Sequence, residues 1–170
     1  MRKKGVSPLI TTVLLIIISI TAVVVISTIV IPFVRDSLTN SKECFEVLDQ
    51  ITIDTETMCG SSMCTCYYNQ SADDLVVNVS IKRGPKEADL DRFKISVSGQ
   101  GTSSIFDIKT GEPGVRMLDG STTIQIPEAG GMRTYSLNKT LRGVSHVEVY
   151  PVLKSGNVCD LADKAEIESC

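Results

Sequence analysis

At 170 residues, with 42% hydrophobic and 22% charged side chains, the chain has room for one ordinary domain and one further element. It carries 17 basic and 20 acidic residues, a formal net charge of −3, and so lacks the basic footprint of a nucleic-acid binder. Trp is absent and aromatics make up 5%, which excludes a core built on large rings and leaves it to small aliphatic side chains.

The first element is the most distinctive. Arg2, Lys3 and Lys4 stand directly before a stretch, Gly5 to Val34, without a single charge. About 20 apolar residues cross a bilayer as a helix, and this run exceeds that. One isolated segment can satisfy its backbone in lipid only as a helix. Its Ile, Val and Thr are mediocre helix formers in water, so it is helical in lipid or packed against other helices. Ser7 is a good N-cap and Pro8 suits the first helical position, where its missing N–H costs nothing. Pro8 also holds Ser7 extended. Pro32 cannot donate to the Thr28 carbonyl and is expected to kink the far end. The polar tail Arg35 to Lys42 is expected to continue the helix. These signals give an extended basic leader over 1–7, a transmembrane helix behind it that ends near Lys42, and a head, 43–170.

The head reads as strands. Leu75, Val77, Val79 and Ile81 alternate with Val76, Asn78, Ser80 and Lys82, and Phe93, Ile95 and Val97 alternate with Lys94, Ser96 and Ser98, a period of two. Phe45–Ile53 and Thr65–Gln70 are expected to pair as a hairpin ahead of them. Shorter strands are expected at Ile105–Ile108, Gly114–Leu118, Thr122–Ile126, Arg133–Leu137 and Val147–Leu153, with a short helical turn over 160–168. Turn signals separate them, among them Arg83-Gly84-Pro85, Ser98-Gly99-Gln100-Gly101, Asp119-Gly120 and Gly130-Gly131. Many short strands with regular turns predict a sandwich or partly open barrel. The fold class is thus α+β: a long apolar N-terminal helix followed by a β-rich, sandwich-like head.

Six cysteines, an even number in a head placed outside the membrane, read as disulfides. Expected strand neighbours pair Cys44 with Cys66, Cys59 with Cys64, and Cys159 with Cys170. The alternative, thiolates of Cys59, Cys64 and Cys66 around a metal, lacks the spacing of structural zinc knuckles, and no metal or other cofactor is assigned. Asn-x-Ser/Thr sequons at Asn69, Asn78 and Asn138 are candidate glycosylation sites, and the strand phase turns Asn78 outward.

Catalytic chemistry finds little support. His146 is the single histidine, and no Ser-His-Asp set is identifiable from sequence. Asp89 with Asp91, and Glu166 with Glu168, lack the glycine-bearing loop and further ligands of a calcium site. Gly99-Gln100-Gly101 lacks the helix start that phosphate binding needs. No catalytic residue is assigned.

The start of the apolar segment admits three roles: a secretory signal peptide, a permanent single-pass anchor, or a helix whose leader is cut away ahead of it. The first conflicts with the segment's length and the lack of a small-x-small cleavage site; the second fits the cation placement. The order Lys3-Lys4-Gly5-Val6-Ser7-Pro8-Leu9-Ile10, then an apolar helix, resembles the class III signal peptide of archaeal type IV pilins, relatives of the archaellins. The likeness covers about the first 35 residues. It implies cleavage between Gly5 and Val6 by a prepilin peptidase, and so a leader peptide 1–5, a transmembrane and assembly helix 6–42 and a head 43–170. It also implies a lollipop-shaped subunit and self-assembly into a helical homopolymer. It implies an assembly ATPase and a platform membrane protein as partners. It places the precursor in the membrane and the mature chain in an extracellular, adhesive filament. Bacterial type IV pilins carry a glutamate five residues after the cut, where this chain has Ile10. Without the leader, 14 basic residues stand against 20 acidic ones. The rival reading is a membrane-anchored surface protein with a ligand-binding β-domain.

Overall fold

The computed structural model describes residues 8–69, 75–139 and 143–170. The leader, the Gly5–Val6 cleavage pair and Ser7 lie outside the described residues, as do the sequon partners Ser71 and Thr140. The chain divides into two compact units, Met1–Ser41 and Lys42–Cys170.

The first element is a long helix: α1 (Pro8–Val25), a π-helical turn (Ile26–Val30) and α2 (Ile31–Leu48). Pro8 opens it, as its fixed φ favours. The helix continues through Pro32, as expected, and the distortion expected there takes the form of a π turn: the turn before it widens, with the Ile31 N–H bonded to the Ile26 carbonyl. A proline deletes one donor and crowds the carbonyl four residues back, and a π turn accommodates both. The helix then runs to Leu48 and not to Lys42.

The head holds two antiparallel sheets and a small hairpin, β2 (Met58–Cys59) with β3 (Ser62–Met63). In one sheet β5 (Leu75–Arg83) lies between β9 (Met132–Lys139) on one edge and β1 (Ile51–Asp54) with β4 (Cys66–Asn69) on the other; β8 (Val115–Met117) flanks β9. The other sheet has the order β11 (Asp163–Glu166), β10 (His146–Leu153), β6 (Leu90–Gly99), β7 (Thr102–Ile108). The period-two positions meet between them. Val77, Val79, Ile81, Tyr135 and Leu137 from one sheet join Phe93, Ile95, Val97, Ile108, Val147 and Val149 from the other in a single buried cluster. Each such aliphatic contributes about 1.5–3 kcal/mol on burial. Val47, from the last turn of α2, is in the same core. The β6–β7 connection turns on Gln100 and Gly101, both at positive φ, the backbone that a two-residue hairpin loop requires.

β1 and β4 do not form the expected hairpin. They lie end to end along one edge of β5: Ile51–Asp54 against Arg83–Ser80, and Cys66–Asn69 against Asn78–Leu75. Thr65 fills the gap. Its hydroxyl donates to the Asp54 carbonyl and accepts from the Ser80 N–H at 3.1 Å, replacing the ladder bond lost where β1 leaves the sheet. Thr122–Ile126 is not a strand, and residues 163–166 form β11 in place of a helical turn.

Two of the three expected disulfide pairings are corrected. Cys44 bonds Cys159 and Cys66 bonds Cys170, while Cys59 bonds Cys64 as expected. Strand order explains the exchange. Cys66 starts β4, and the C-terminal tail runs beside that strand: Tyr67 N–H bonds the Glu168 carbonyl and Cys170 N–H bonds the Tyr67 carbonyl. Cys44 points from the helix end toward the loop after β10.

Candidate functional site

The most prominent surface is the helix itself. From Ile10 to Leu48 it is long and apolar enough to cross a membrane, and none of its most apolar window is buried. Ser19, Thr21 and Thr28 direct their hydroxyls back to carbonyls of their own helix, at 2.7–3.0 Å. Their polar atoms therefore ask nothing of a neighbour, and the surface they leave is apolar.

The exposed apolar side chains do not stop at bilayer length. Phe33 is 71% exposed, Leu38 65% and Phe45 71%, with Arg35 and Lys42 interleaved. Leu38 and Phe45, seven residues apart on α2, share a helix face with Ile31 and Val34. Ile10 to Phe45 spans roughly 54 Å at about 1.5 Å per residue, against about 30 Å of hydrocarbon in a bilayer.

The sequence-derived site residues fare differently. Gly5, Val6 and Ser7 lie outside the described residues. Asn69 and Asn138 are exposed. Asn78 points to the outer face of β5, as its strand phase requires; it is half-buried there, and its Oδ1 is buried with no hydrogen-bond partner. All six cysteines are in disulfides, so the thiolate metal reading is overturned. Among the described residues no cluster of three His, Cys, Asp or Glu is arranged to hold a metal. That includes the acidic cleft of about 300 Å³ between Glu43, Glu46, Glu87 and Asp89, where Lys154 pairs with Asp89 at 3.2 Å.

One arrangement was invisible in the sequence. Ser145 Oγ lies 2.9 Å from His146 Nδ1, and His146 Nε2 lies 3.6 Å from Glu148. The Ser145 hydroxyl donates its one proton to the Ser98 carbonyl at 3.0 Å. His146 Nδ1 must then donate to Oγ, the reverse of the proton flow a serine nucleophile needs. Glu148 also accepts from Tyr150 at 2.9 Å and pairs with Lys164 at 3.3 Å. The Tyr150 bond, with Lys164, holds its carboxyl below the usual range. These contacts tie β10 to β6 and β11.

The helix and the disulfides are compatible with a membrane-spanning segment and an extracytoplasmic head. No protein-family model, curated protein or solved structure matches the chain.

Proposed function

We propose that the chain is the structural subunit of an extracellular type IV pilus-like filament. Its helix packs against those of other copies in the filament core, and its head is displayed for surface adhesion. One observation carries this reading: exposed apolar side chains continue along the helix to Phe45, well past what a bilayer covers. An anchor would leave Leu38 and Phe45 in water, whereas a bundle of staggered copies buries them. A helix apolar all round is stable only in lipid or among helices, and head-to-tail copies that do not close generate a helical polymer. The likeness of the first residues to pilin leaders adds the prepilin peptidase, the assembly ATPase and the platform protein as partners. The precursor is then a membrane protein and the mature form a pilus.

A second reading, a single-pass anchored surface protein, is favoured by the self-satisfied hydroxyls of Ser19, Thr21 and Thr28, which suit permanent contact with lipid. Two measurements separate them. Mass spectrometry of the mature chain is expected to start at Val6, and a retained Met1–Gly5 segment sinks the filament reading. Leu38→Asp with Phe45→Asp is expected to abolish extracellular fibres in electron micrographs while membrane insertion persists. Fibres of unchanged number from this variant would remove the argument from the helix surface.

A further inference from the structure

The outer face of the five-stranded sheet carries a groove that neither the helix nor the core accounts for. Cα partners run in rows across it, Tyr68–Val76–Asn138 and then Cys66–Asn78–Ser136–Arg116. Side chains two apart on a strand share a face, so Tyr68, Asn78, Ser136, Asn138 and Arg116 all stand on this side. Two clefts of about 380 and 590 Å³ open here and share Tyr68 and Leu118 as walls. Clefts of this size are those that small ligands occupy.

Three features define what fits. Tyr68, 43% exposed, offers a ring face. Asn78 Oδ1 is a buried acceptor without a donor, and a desolvated acceptor calls for one. Arg116 is exposed on the wall of the groove and has no carboxylate partner among the described residues, so its charge is open to a ligand there. We propose that this groove binds a saccharide bearing a carboxylate. A sugar ring lays its C–H face on the tyrosine, its hydroxyls donate to Asn78 Oδ1, and its carboxylate takes the fork of Arg116. An extended peptide would seek a strand edge, and this is a sheet face. A lipid tail would strand the polar floor of Asn78 and Ser136.

The saccharide has two sources. Asn138, an exposed sequon asparagine, lines the groove, so a glycan attached there reaches it; a free saccharide from a surface is the other. The full-length chain, made in a host without N-glycosylation and held in detergent, is titrated with trigalacturonate and with neutral galactotriose by saturation-transfer NMR. Trigalacturonate is expected to bind at least tenfold tighter than the neutral probe. Arg116→Ala should erase that difference while Arg116→Lys restores part of it, and Tyr68→Ala should weaken both probes severalfold. Protein from a glycosylating host resolves the source. If it binds trigalacturonate only as Asn138→Gln, the chain's own glycan fills the groove; if it binds without that change, the ligand is external. Failure of both probes to bind the unglycosylated chain, or binding indifferent to Arg116→Ala and Tyr68→Ala, overturns the proposal. The titration uses unassembled chain, so its outcome is independent of whether filaments form.

Discussion

The two kinds of disulfide loop offer a controlled test of what holds the head together. Cys66–Cys170 closes a sequence separation of 104 residues and Cys59–Cys64 one of 5. Each pair has one buried half, Cys66 or Cys64, and one exposed half, Cys170 or Cys59. Replacing both cysteines of either pair by Ala therefore creates similar packing defects, and the difference isolates chain closure. Cys44–Cys159 stays closed in either variant, so the effective loop that Cys66–Cys170 closes is the 22 residues from Cys44 to Cys66 plus the 11 from Cys159 to Cys170. The loop-entropy relation then gives about 3.7 kcal/mol for the long loop and about 2 kcal/mol for the short one. Cys66→Ala with Cys170→Ala should thus be less stable than Cys59→Ala with Cys64→Ala by about 1–2 kcal/mol. At about 4 °C per kcal/mol for a head of this size, the two melting points should differ by roughly 6 °C. The readout is intrinsic tyrosine fluorescence of the full-length chain in detergent during guanidinium unfolding without reductant. Tyr67, Tyr68, Tyr135 and Tyr150 are the chain's four tyrosines and all lie in the head, so the helix does not contribute. Equal stabilities, or a larger loss from the short loop, would refute the reasoning. They would show that local geometry around Cys59, and not loop closure, sets the stability.

Thr65→Val keeps shape but strands the Asp54 carbonyl and the buried Ser80 N–H, so denaturation should report a loss of about 2–6 kcal/mol, from about 1–3 for each unsatisfied group. Tyr135 is buried and its hydroxyl donates to the Gln125 carbonyl at 2.8 Å; burial raises its pKa strongly. The unfolded tyrosine ionises near its ordinary value while the folded one keeps its proton, so stability is complete below about pH 10 and falls above it. Tyr135→Phe should cost about 1 kcal/mol at neutral pH and flatten the alkaline fall in a pH-dependent melt. Burial works to raise the Asp107 pKa, but hydrogen bonds and charge from Lys109 and Arg92 outweigh it and leave the pKa lowered. Its contribution is therefore present above the unfolded carboxyl value and lost as pH falls through the lower folded value. Asp107→Asn should remove that acid-side dependence below about pH 4, read as a shallower slope of melting temperature against pH.

How much was legible depended on whether the chemistry was local. The alternation in β5 and β6 named the buried residues, because burial on one face imposes a period of two. Strands that follow from distant partners were hidden. Asp163–Glu166 is rich in helix formers, yet it pairs with β10, and the Asp163 carboxylate accepts the Ile53 N–H at 2.8 Å. Thr122–Ile126 looks like a strand, yet Thr123 N–H goes to Ser121 Oγ and Ile124 N–H to Thr110 Oγ1. Side-chain hydroxyls took the donors that a ladder would have used. The hairpin expectation for β1 and β4 failed because both bond to β5, a choice made by Thr65 and not by hydrophobic pattern. Two of the pairings among Cys44, Cys66, Cys159 and Cys170 failed with it, since they assumed those neighbours. The groove was unreadable for the same reason: Tyr68, Asn78, Arg116 and Ser136 lie on four strands, and only the register brings them onto one face.

The last turn of the helix has its own partners in the head. Residues 42–48 belong to the compact unit of the head. Val47, 1% exposed, sits in its core, and Cys44 is bonded to Cys159 in the loop after β10. Gln50 follows at once, 7% exposed, and its carbonyl and Oε1 accept from Gly84 and Lys86 N–H at 2.7 and 3.2 Å. A Cβ at Gly84 would stand 2.3 Å from that same Oε1, so a larger residue there would push the Gln50 amide away from Lys86 N–H. The last turn of α2 is thus built into the head by a buried side chain, a covalent bond and a backbone clamp within seven residues. Loss of any one of them exposes the core at Val47, so this turn and the head are expected to unfold together.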